Sequence, residues 1–196
     1  MARKRSIKKS TRDFGTHADK VAAFIKARTE GATDEHVSLL YDYAVIHLYR
    51  GFESLMFDAL VGSINNDTAT VSDRKGIKFP KHLSKAVCEY LVTSGRFFDF
   101  KGRDGLIKVL KEFVPDKHFL LEEVKKKKYR SALEQLSALR NFAAHNSAQS
   151  RKAALVATGQ KRLHSAGAWL KRGKRFNTLV DTLKDLASQI EKQARW

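Results

Sequence analysis

The sequence predicts a mainly α-helical protein, and three observations support this prediction. The chain of 196 residues contains only 2 prolines and 11 glycines, so few residues interrupt helices. Residues of high helix propensity, such as Ala, Leu, Lys, Glu and Arg, are plentiful. Apolar residues also recur at spacings of three and four over long stretches, which is the period of an amphipathic helix packed on its neighbours.

Composition excludes several classes of protein and of site. The single cysteine, Cys88, excludes a disulfide scaffold and any cysteine-based zinc or iron–sulfur site within one chain. No apolar run approaches the ~20 residues that a membrane span needs, and the N-terminus lacks the apolar core of a signal peptide. We therefore expect a cytoplasmic protein with no membrane partner. The net charge of +17 predicts attraction to nucleic acids.

The first fifteen residues are predicted to be a basic, disordered arm, followed by a helical domain over residues 16–196. Residues 1–12 contain six Lys and Arg residues and no acidic one, and such a segment does not fold alone. Two interpretations remain open for this arm: an electrostatic contact to a polyanion such as RNA, or a solvated tail that only aids solubility.

The first helix is predicted to begin after an N-cap at Thr16 and to end at Gly31. Thr33 then caps the longest helix, which runs to about Ser63 before a polar turn stops it. The remaining predicted helices cover residues 82–93, 104–114, 129–144, 148–157 and 174–194. Residues 66–80 and 95–105 are predicted to be loops, the second with an extended piece at 97–100.

Residues 136–147 contain the side chains most suited to chemistry. In a helix, Arg140 lies about 40° from the centre of the apolar stripe, so its guanidinium must be paired or face a cleft. Asn141 and His145 share one helical face, whereas Arg140 and His145 diverge by about 140°. A long arginine side chain or a second copy of the helix would have to complete a common site. A purely structural interpretation is an arginine salt bridge and a histidine that favours the helix dipole.

The run RNFAAH at 140–145 resembles the R-x-x-x-x-H motif of the HEPN domain family. The polar Asn141 stands where this family often has a polar residue, and the motif closes a long helix. An earlier long helix carries YRGFESL at 49–55, which is similar to the first long helix of these domains. A final amphipathic helix follows, so the resemblance extends over about residues 34–192.

This resemblance implies an all-α fold, a HEPN-like helical bundle of four to five main helices with extra short helices, that forms a homodimer. Many members are metal-independent RNases of toxin–antitoxin, abortive-infection and other defence systems. The implied function is an endoribonuclease that acts as a toxin or phage-defence effector on RNA, uses no cofactor and no metal, and is regulated by an antitoxin or another protein. The alternative is a catalytically inactive HEPN-fold module that binds nucleic acid or protein.

The resemblance also implies a role for each site residue. His145 acts as general acid and base, Arg140 binds the scissile phosphate, Asn141 orients one of them, and Glu53 assists from the facing helix. These residue types suit the reaction because RNA supplies its own nucleophile, the 2′-OH. A histidine of near-neutral pKa can move protons at physiological pH, and an arginine fork can stabilise charge on a phosphate.

A metal-dependent nuclease site is a competing interpretation. Asp116 after Pro115, followed by Glu123 and Lys125, imitates the Pro-Asp…Glu-x-Lys pattern of restriction-type nucleases, in which carboxylates hold a divalent ion. That site requires strands of a mixed sheet, and this stretch lacks strand alternation. We therefore expect these acidic residues to lie on a solvated helix face.

Overall fold

A computed structural model describes residues 6–195, and within that range the chain forms ten α-helices, one 3-10 turn and no strand. The prediction of an all-α fold is confirmed. The helices are α1 (Ile7–Arg28), α2 (Asp34–Asn66), α3 (Ala69–Lys75), α4 (Lys85–Thr93), α5 (Gly102–Phe113), α6 (Phe119–Lys125), α7 (Arg130–His145), α8 (Ala148–Thr158), α9 (Ala166–Leu170) and α10 (Arg175–Gln193), and the 3-10 turn is Lys127–Tyr129.

Helix α2 is the centre of the bundle. Its 33 residues follow the predicted N-cap Thr33, whose side chain accepts a hydrogen bond from the backbone N–H of His36. It packs against α1, α4, α7 and α9, while α10 lies against α1, α6 and α7. Side chains such as Leu48, Phe52 and Met56, spaced by four residues, are fully buried on this helix. Burial of each contributes about 1.5–3 kcal/mol, so α2 is a rigid base for residues that it presents.

Helix α1 begins much earlier than the sequence predicted. Ser6 caps it by accepting from the backbone N–H of Lys9, and Ile7 and Phe14 are buried against the core. The predicted disordered arm over residues 1–15 is therefore wrong for residues 7–15, and residues 1–5 lie outside the described residues. The reason is that apolar side chains one to two turns apart bury this helix against α2 and α10 despite its basic composition.

Smaller differences concern short elements. The predicted loop at 66–80 contains α3, which buries only Val71 and therefore carries little apolar signal. Helices α4 and α5 begin at Lys85 and Gly102 rather than at the predicted residues 82 and 104, and α6 and α9 were not predicted. The expected extended piece at 97–100 forms no strand.

The junction of α7 and α8 is sharp and well capped. Asn146 ends α7 in the left-handed conformation with φ 43°, and Ser147 caps α8 through reciprocal hydrogen bonds with Ser150. Gly159 ends α8, as predicted, with φ 65°. Helices α7 and α8 pack on each other, so the last turn of α7 borders a concave surface.

No helix within residues 6–195 combines the length and apolar character that crossing a membrane would need.

Candidate active site and nucleic-acid interface

Three of the predicted site residues line one groove. Arg140, Asn141 and His145 line a groove with a volume of about 1320 Å³ between α7, α8 and the start of α5. The divergence of Arg140 and His145 on the helix does not separate them into different clefts, because the groove follows the side of α7 to its C-terminus. The structure thus brings together the residues that the motif proposes.

The guanidinium of Arg140 is held in place from two sides. Its Nη1 donates a hydrogen bond to Oδ1 of Asn141 at 2.7 Å. Its Cζ lies 4.4 Å from the ring centroid of Tyr49 on α2, which is a cation–π contact. The expectation that this charge must be paired or face a cleft is met, because the half-buried side chain has both a partner and an open groove beside it.

Tyr49 is a site residue that sequence reasoning missed. It is buried, and its hydroxyl donates to Oδ1 of Asp99 at 2.9 Å and to the carbonyl of Phe100 at 3.2 Å. Burial, together with the nearby Asp99 carboxylate, raises the pKa of Tyr49, so the hydroxyl stays protonated and continues to donate. Its position four residues before Glu53, on the same helical face, is the signal that could have indicated it.

Glu53 is near Arg140 but not in the groove that His145 lines. Both Glu53 and Arg140 border a smaller cavity of about 460 Å³. Burial raises the pKa of the Glu53 carboxyl, the charge of Arg140 lowers it, and Asp99 raises it again. Glu53 is therefore placed to act on Arg140, or on a ligand beside Arg140, rather than on His145.

His145 is the last residue of α7 and is exposed to solvent. Its imidazole therefore stands at the C-terminal end of α7, where the last backbone carbonyls of the helix carry partial negative charge. The exposed Ala144 precedes it and the left-handed Asn146 follows it. Both neighbours of His145 in the chain are thus exposed as well.

The groove is rich in basic side chains. Lys101, Lys127, Arg130 and Lys152 line it together with Arg140. The lysines of the run 125–128 have different surroundings. Lys126 pairs with Glu123 and Lys128 pairs with Asp185, whereas Lys127 borders the groove.

Three acidic side chains, Asp99, Asp104 and Glu134, also line the groove, and that of Glu134 has a structural role. Oε1 of Glu134 accepts from the backbone N–H of Arg103 at 3.0 Å, at the start of α5. The adjacent Gly102 has φ 62°, and a Cβ at this position would collide with the carboxylate of Glu134. Glu134 thus anchors α5 to α7, and the cations around it remain the feature available to a polyanion.

The residues of the competing metal interpretation are not brought together. Asp116 is exposed in a turn, while Glu123 is buried in α6 and accepts from Lys126 Nζ at 2.6 Å and from the amide of Gln193. Within the described part of the chain, no group of three or more His, Cys, Asp and Glu side chains is arranged to hold a metal ion. The expected solvated helix face is wrong for Glu123, which is buried, and for Asp116 only the expected exposure is correct, because that residue lies in a turn.

The chain matches no protein-family model, no curated protein and no solved structure.

Proposed function

We propose that the protein is a metal-independent endoribonuclease of the HEPN type. The observation that carries this proposal is the shared groove, in which a positioned arginine and an exposed histidine stand among lysine and arginine side chains. The R-x-x-x-x-H spacing and the helical bundle support the same family. A basic groove binds the phosphate backbone, and the two motif residues supply the groups that cleavage of RNA needs.

The proposed reaction is an internal transesterification. The 2′-oxygen attacks the adjacent phosphorus while the bond to the 5′-oxygen breaks, which leaves a 2′,3′-cyclic phosphate and a 5′-OH. His145 accepts the proton of the 2′-OH and an imidazolium returns a proton to the departing 5′-oxygen. Arg140, in cation–π contact with Tyr49 and hydrogen-bonded to Asn141, neutralises the charge that grows on the phosphate oxygens.

A homodimer with the two α7 C-termini side by side completes the proposed site. The exposed Ala144 and the half-buried Ala143 are small, so a second chain can approach the motif closely. One His145 can then act as the base and the other as the acid, each with an arginine nearby.

The proposed biological role follows from the resemblance: a cytoplasmic toxin or phage-defence effector held in check by an antitoxin or another regulatory protein. A metal-independent RNase needs such control, because its substrate is always present in the cell.

The decisive experiment is incubation of the purified protein with mixed RNA, with and without EDTA. We expect cleavage that EDTA does not reduce and products that carry 2′,3′-cyclic phosphate ends. Arg140→Ala and His145→Ala should each abolish cleavage, whereas the control His164→Ala, an exposed histidine outside the groove, should leave it unchanged. Cleavage retained in either motif variant would reject the site, and cleavage lost in EDTA would reject the mechanism.

The second candidate is a catalytically silent RNA-binding module of the same fold. The basic lining of the groove favours it, because Lys101, Lys127, Arg130 and Lys152 would bind a phosphate backbone whether or not His145 transfers protons. Salt-dependent RNA binding without cleavage by the wild-type protein would select this candidate.

A further inference from the structure

An aromatic cavity shares Arg140 and Asp99 with the basic groove. It measures about 460 Å³ and lies between α2 and the loop before α5. Its apolar wall is formed by three phenylalanines, and its polar wall by two carboxylates and the guanidinium. The lining residues are Glu53, Ser54, Phe57, Phe97, Phe98, Asp99 and Arg140.

Phe97 is the most exposed large apolar side chain of the described residues. Its relative exposure is 99%, whereas its neighbour Phe98 packs on Phe57 with ring centroids 5.4 Å apart. The cavity therefore has a fixed aromatic floor and one aromatic side chain at its rim with no packing role. An exposed aromatic ring beside a phosphate-binding arginine is typical of proteins that stack unpaired bases of single-stranded RNA.

The polar wall determines which hydrogen-bonding groups of a ligand can bind in the cavity. Glu53 and Asp99 are hydrogen-bond acceptors when ionised; Asp99 also lines the basic groove, whereas the lining of the groove does not include Glu53. Asp99 is fixed by the hydroxyl of Tyr49, which donates to its Oδ1. A ligand of this wall must present N–H donors. Among RNA bases, guanine alone places two adjacent donors, N1–H and the 2-amino group, on one edge, and these match the two oxygens of a carboxylate.

We propose that this cavity binds a guanine base of the RNA, adjacent to the phosphate that Arg140 holds. Phe97 stacks on the base, and Glu53 accepts hydrogen bonds from N1–H and from the 2-amino group. The inference rests on the proposed function only in placing the base next to the scissile phosphate, since Arg140 borders both the cavity and the groove. A pocket of this volume is of the usual size for a small-molecule site.

Calorimetric titration of the wild-type protein with mononucleotides tests the base subsite without any cleavage. We expect 5′-GMP to bind about tenfold more tightly than 5′-IMP, which lacks only the 2-amino group, and more tightly than 5′-AMP or 5′-CMP. Phe97→Ala should weaken 5′-GMP about tenfold. The matched control is Tyr90→Ala, which removes an aromatic side chain of 67% exposure on α4 that does not line the cavity. It should bind 5′-GMP as the wild type does.

Glu53→Gln tests the edge recognition separately from stacking. An amide of the same size keeps the cavity but offers one acceptor in place of two, so the preference for 5′-GMP over 5′-IMP should disappear. Circular dichroism and thermal unfolding verify that each variant is folded. Equal affinity for all four nucleotides, absence of 5′-GMP binding, or 5′-GMP binding unaltered in Phe97→Ala would each overturn the proposal.

Mapping of cut sites separates this inference from the proposed function. RNA cleaved without any guanine beside the cut, together with no preference for 5′-GMP, would reject the subsite and keep the ribonuclease. Selective 5′-GMP binding in a protein that cleaves no RNA would keep the subsite and reject the ribonuclease.

Discussion

The guanidinium of Arg140 rests on the ring of Tyr49, with its Cζ 4.4 Å from the ring centroid. Helix α2 thereby supplies the platform on which α7 presents its arginine. The N–H donors of a guanidinium lie in its own plane; one of them bonds Asn141, and the others are the donors that would meet a phosphate. The two helices thus share the task of orienting one charge.

Two replacements of Tyr49 distinguish the contribution of its ring from that of its hydroxyl. Tyr49→Phe keeps the platform but loses the hydrogen bonds to Asp99 and Phe100, which should cost about 1 kcal/mol of unfolding free energy. RNA cleavage should stay close to that of the wild type. Tyr49→Leu removes the platform, so cleavage should fall by a further factor of about ten, which corresponds to a cation–π contact of about 1–2 kcal/mol. Equal cleavage by both variants would show that the ring does not position Arg140.

His145→Ala should separate activity from stability. The side chain is exposed at the end of α7, so its loss should change the free energy of unfolding by less than about 1 kcal/mol, the scale of a charge–dipole contact. RNA cleavage should be lost. Urea denaturation together with a cleavage assay checks both expectations. A large loss of stability would instead give this histidine a structural role.

The basic groove predicts that the affinity for RNA depends measurably on salt concentration. On a His145→Ala background that prevents cleavage, simultaneous Lys127→Ala, Arg130→Ala and Lys152→Ala should weaken RNA binding. The slope of log K against log salt should become shallower by about 2, since each contact to single-stranded phosphate contributes about 0.7.

A matched triple variant controls for net charge in this experiment. Lys20, Lys26 and Lys192 are exposed and do not line the groove, so their replacement by alanine removes the same charge elsewhere. Its slope should remain near that of the parent. Identical slopes for both triple variants would show that RNA binding depends only on the total charge of the protein.

His118 predicts a loss of stability at mildly acidic pH. Burial lowers the pKa of this imidazole to about 4, with Asp67 acting in the opposite direction. Its Nδ1 caps α6 by accepting from the backbone N–H of Leu120 at 3.3 Å, and protonation removes this acceptor. Because the unfolded chain binds this proton at higher pH, stability is complete above about pH 6.5 and falls towards pH 4 by roughly 2 kcal/mol.

His118→Asn isolates this contribution. Asparagine is a good N-cap and does not titrate, so the variant should lose less stability than the wild type between pH 6.5 and 4. Urea unfolding at several pH values gives the comparison. Parallel stability curves for the two proteins would contradict the assignment. The pKa of Asp185, which Lys128 and Tyr129 lower to about 2, affects a separate and more acidic range.

The proposed homodimer can be tested by cross-linking and by complementation. The chain's single cysteine, Cys88, is buried, so Ala144→Cys introduces the one exposed thiol. Mild oxidation should join two chains through it, whereas the control Lys108→Cys, exposed on α5, should give little product. A mixture of Arg140→Ala and His145→Ala chains should recover part of the cleavage. Full activity of a proven monomer would reject the dimer.

The larger helices were predictable because local signals agree with tertiary packing. Thr33 caps α2 and Gly159 ends α8 in the structure as in the prediction, since both depend on residues within one turn. The start of α1 was missed because the basic composition of residues 1–12 outweighed the buried spacing of Ile7 and Phe14. Helix α9 was missed because its stability depends on a distant contact: the amide of Gly167 donates to Asp42 of α2 at 2.6 Å.

The candidate site likewise has a part that the sequence predicts and a part that it does not. Arg140, Asn141 and His145 belong to one helical segment, so spacing alone could place them together. The partner of Arg140 outside α7 was not found, because Tyr49 is far away in sequence and meets the arginine only through the packing of α2 on α7. The metal interpretation failed for a related reason: a pattern of acidic residues carries no information about the helix that buries Glu123 against Lys126 and Gln193.

Arg140 forms a wall common to the basic groove and the aromatic cavity, and this has a thermodynamic consequence. Ligands that share one guanidinium must change each other's affinity by the same factor, whichever binds first. A guanine nucleotide that steadies the side chain therefore tightens the hold on the neighbouring phosphate. Under the two proposals, a cleaved strand whose terminal guanosine fills the cavity while its phosphate stays in the groove should dissociate more slowly than a strand that fills the groove alone.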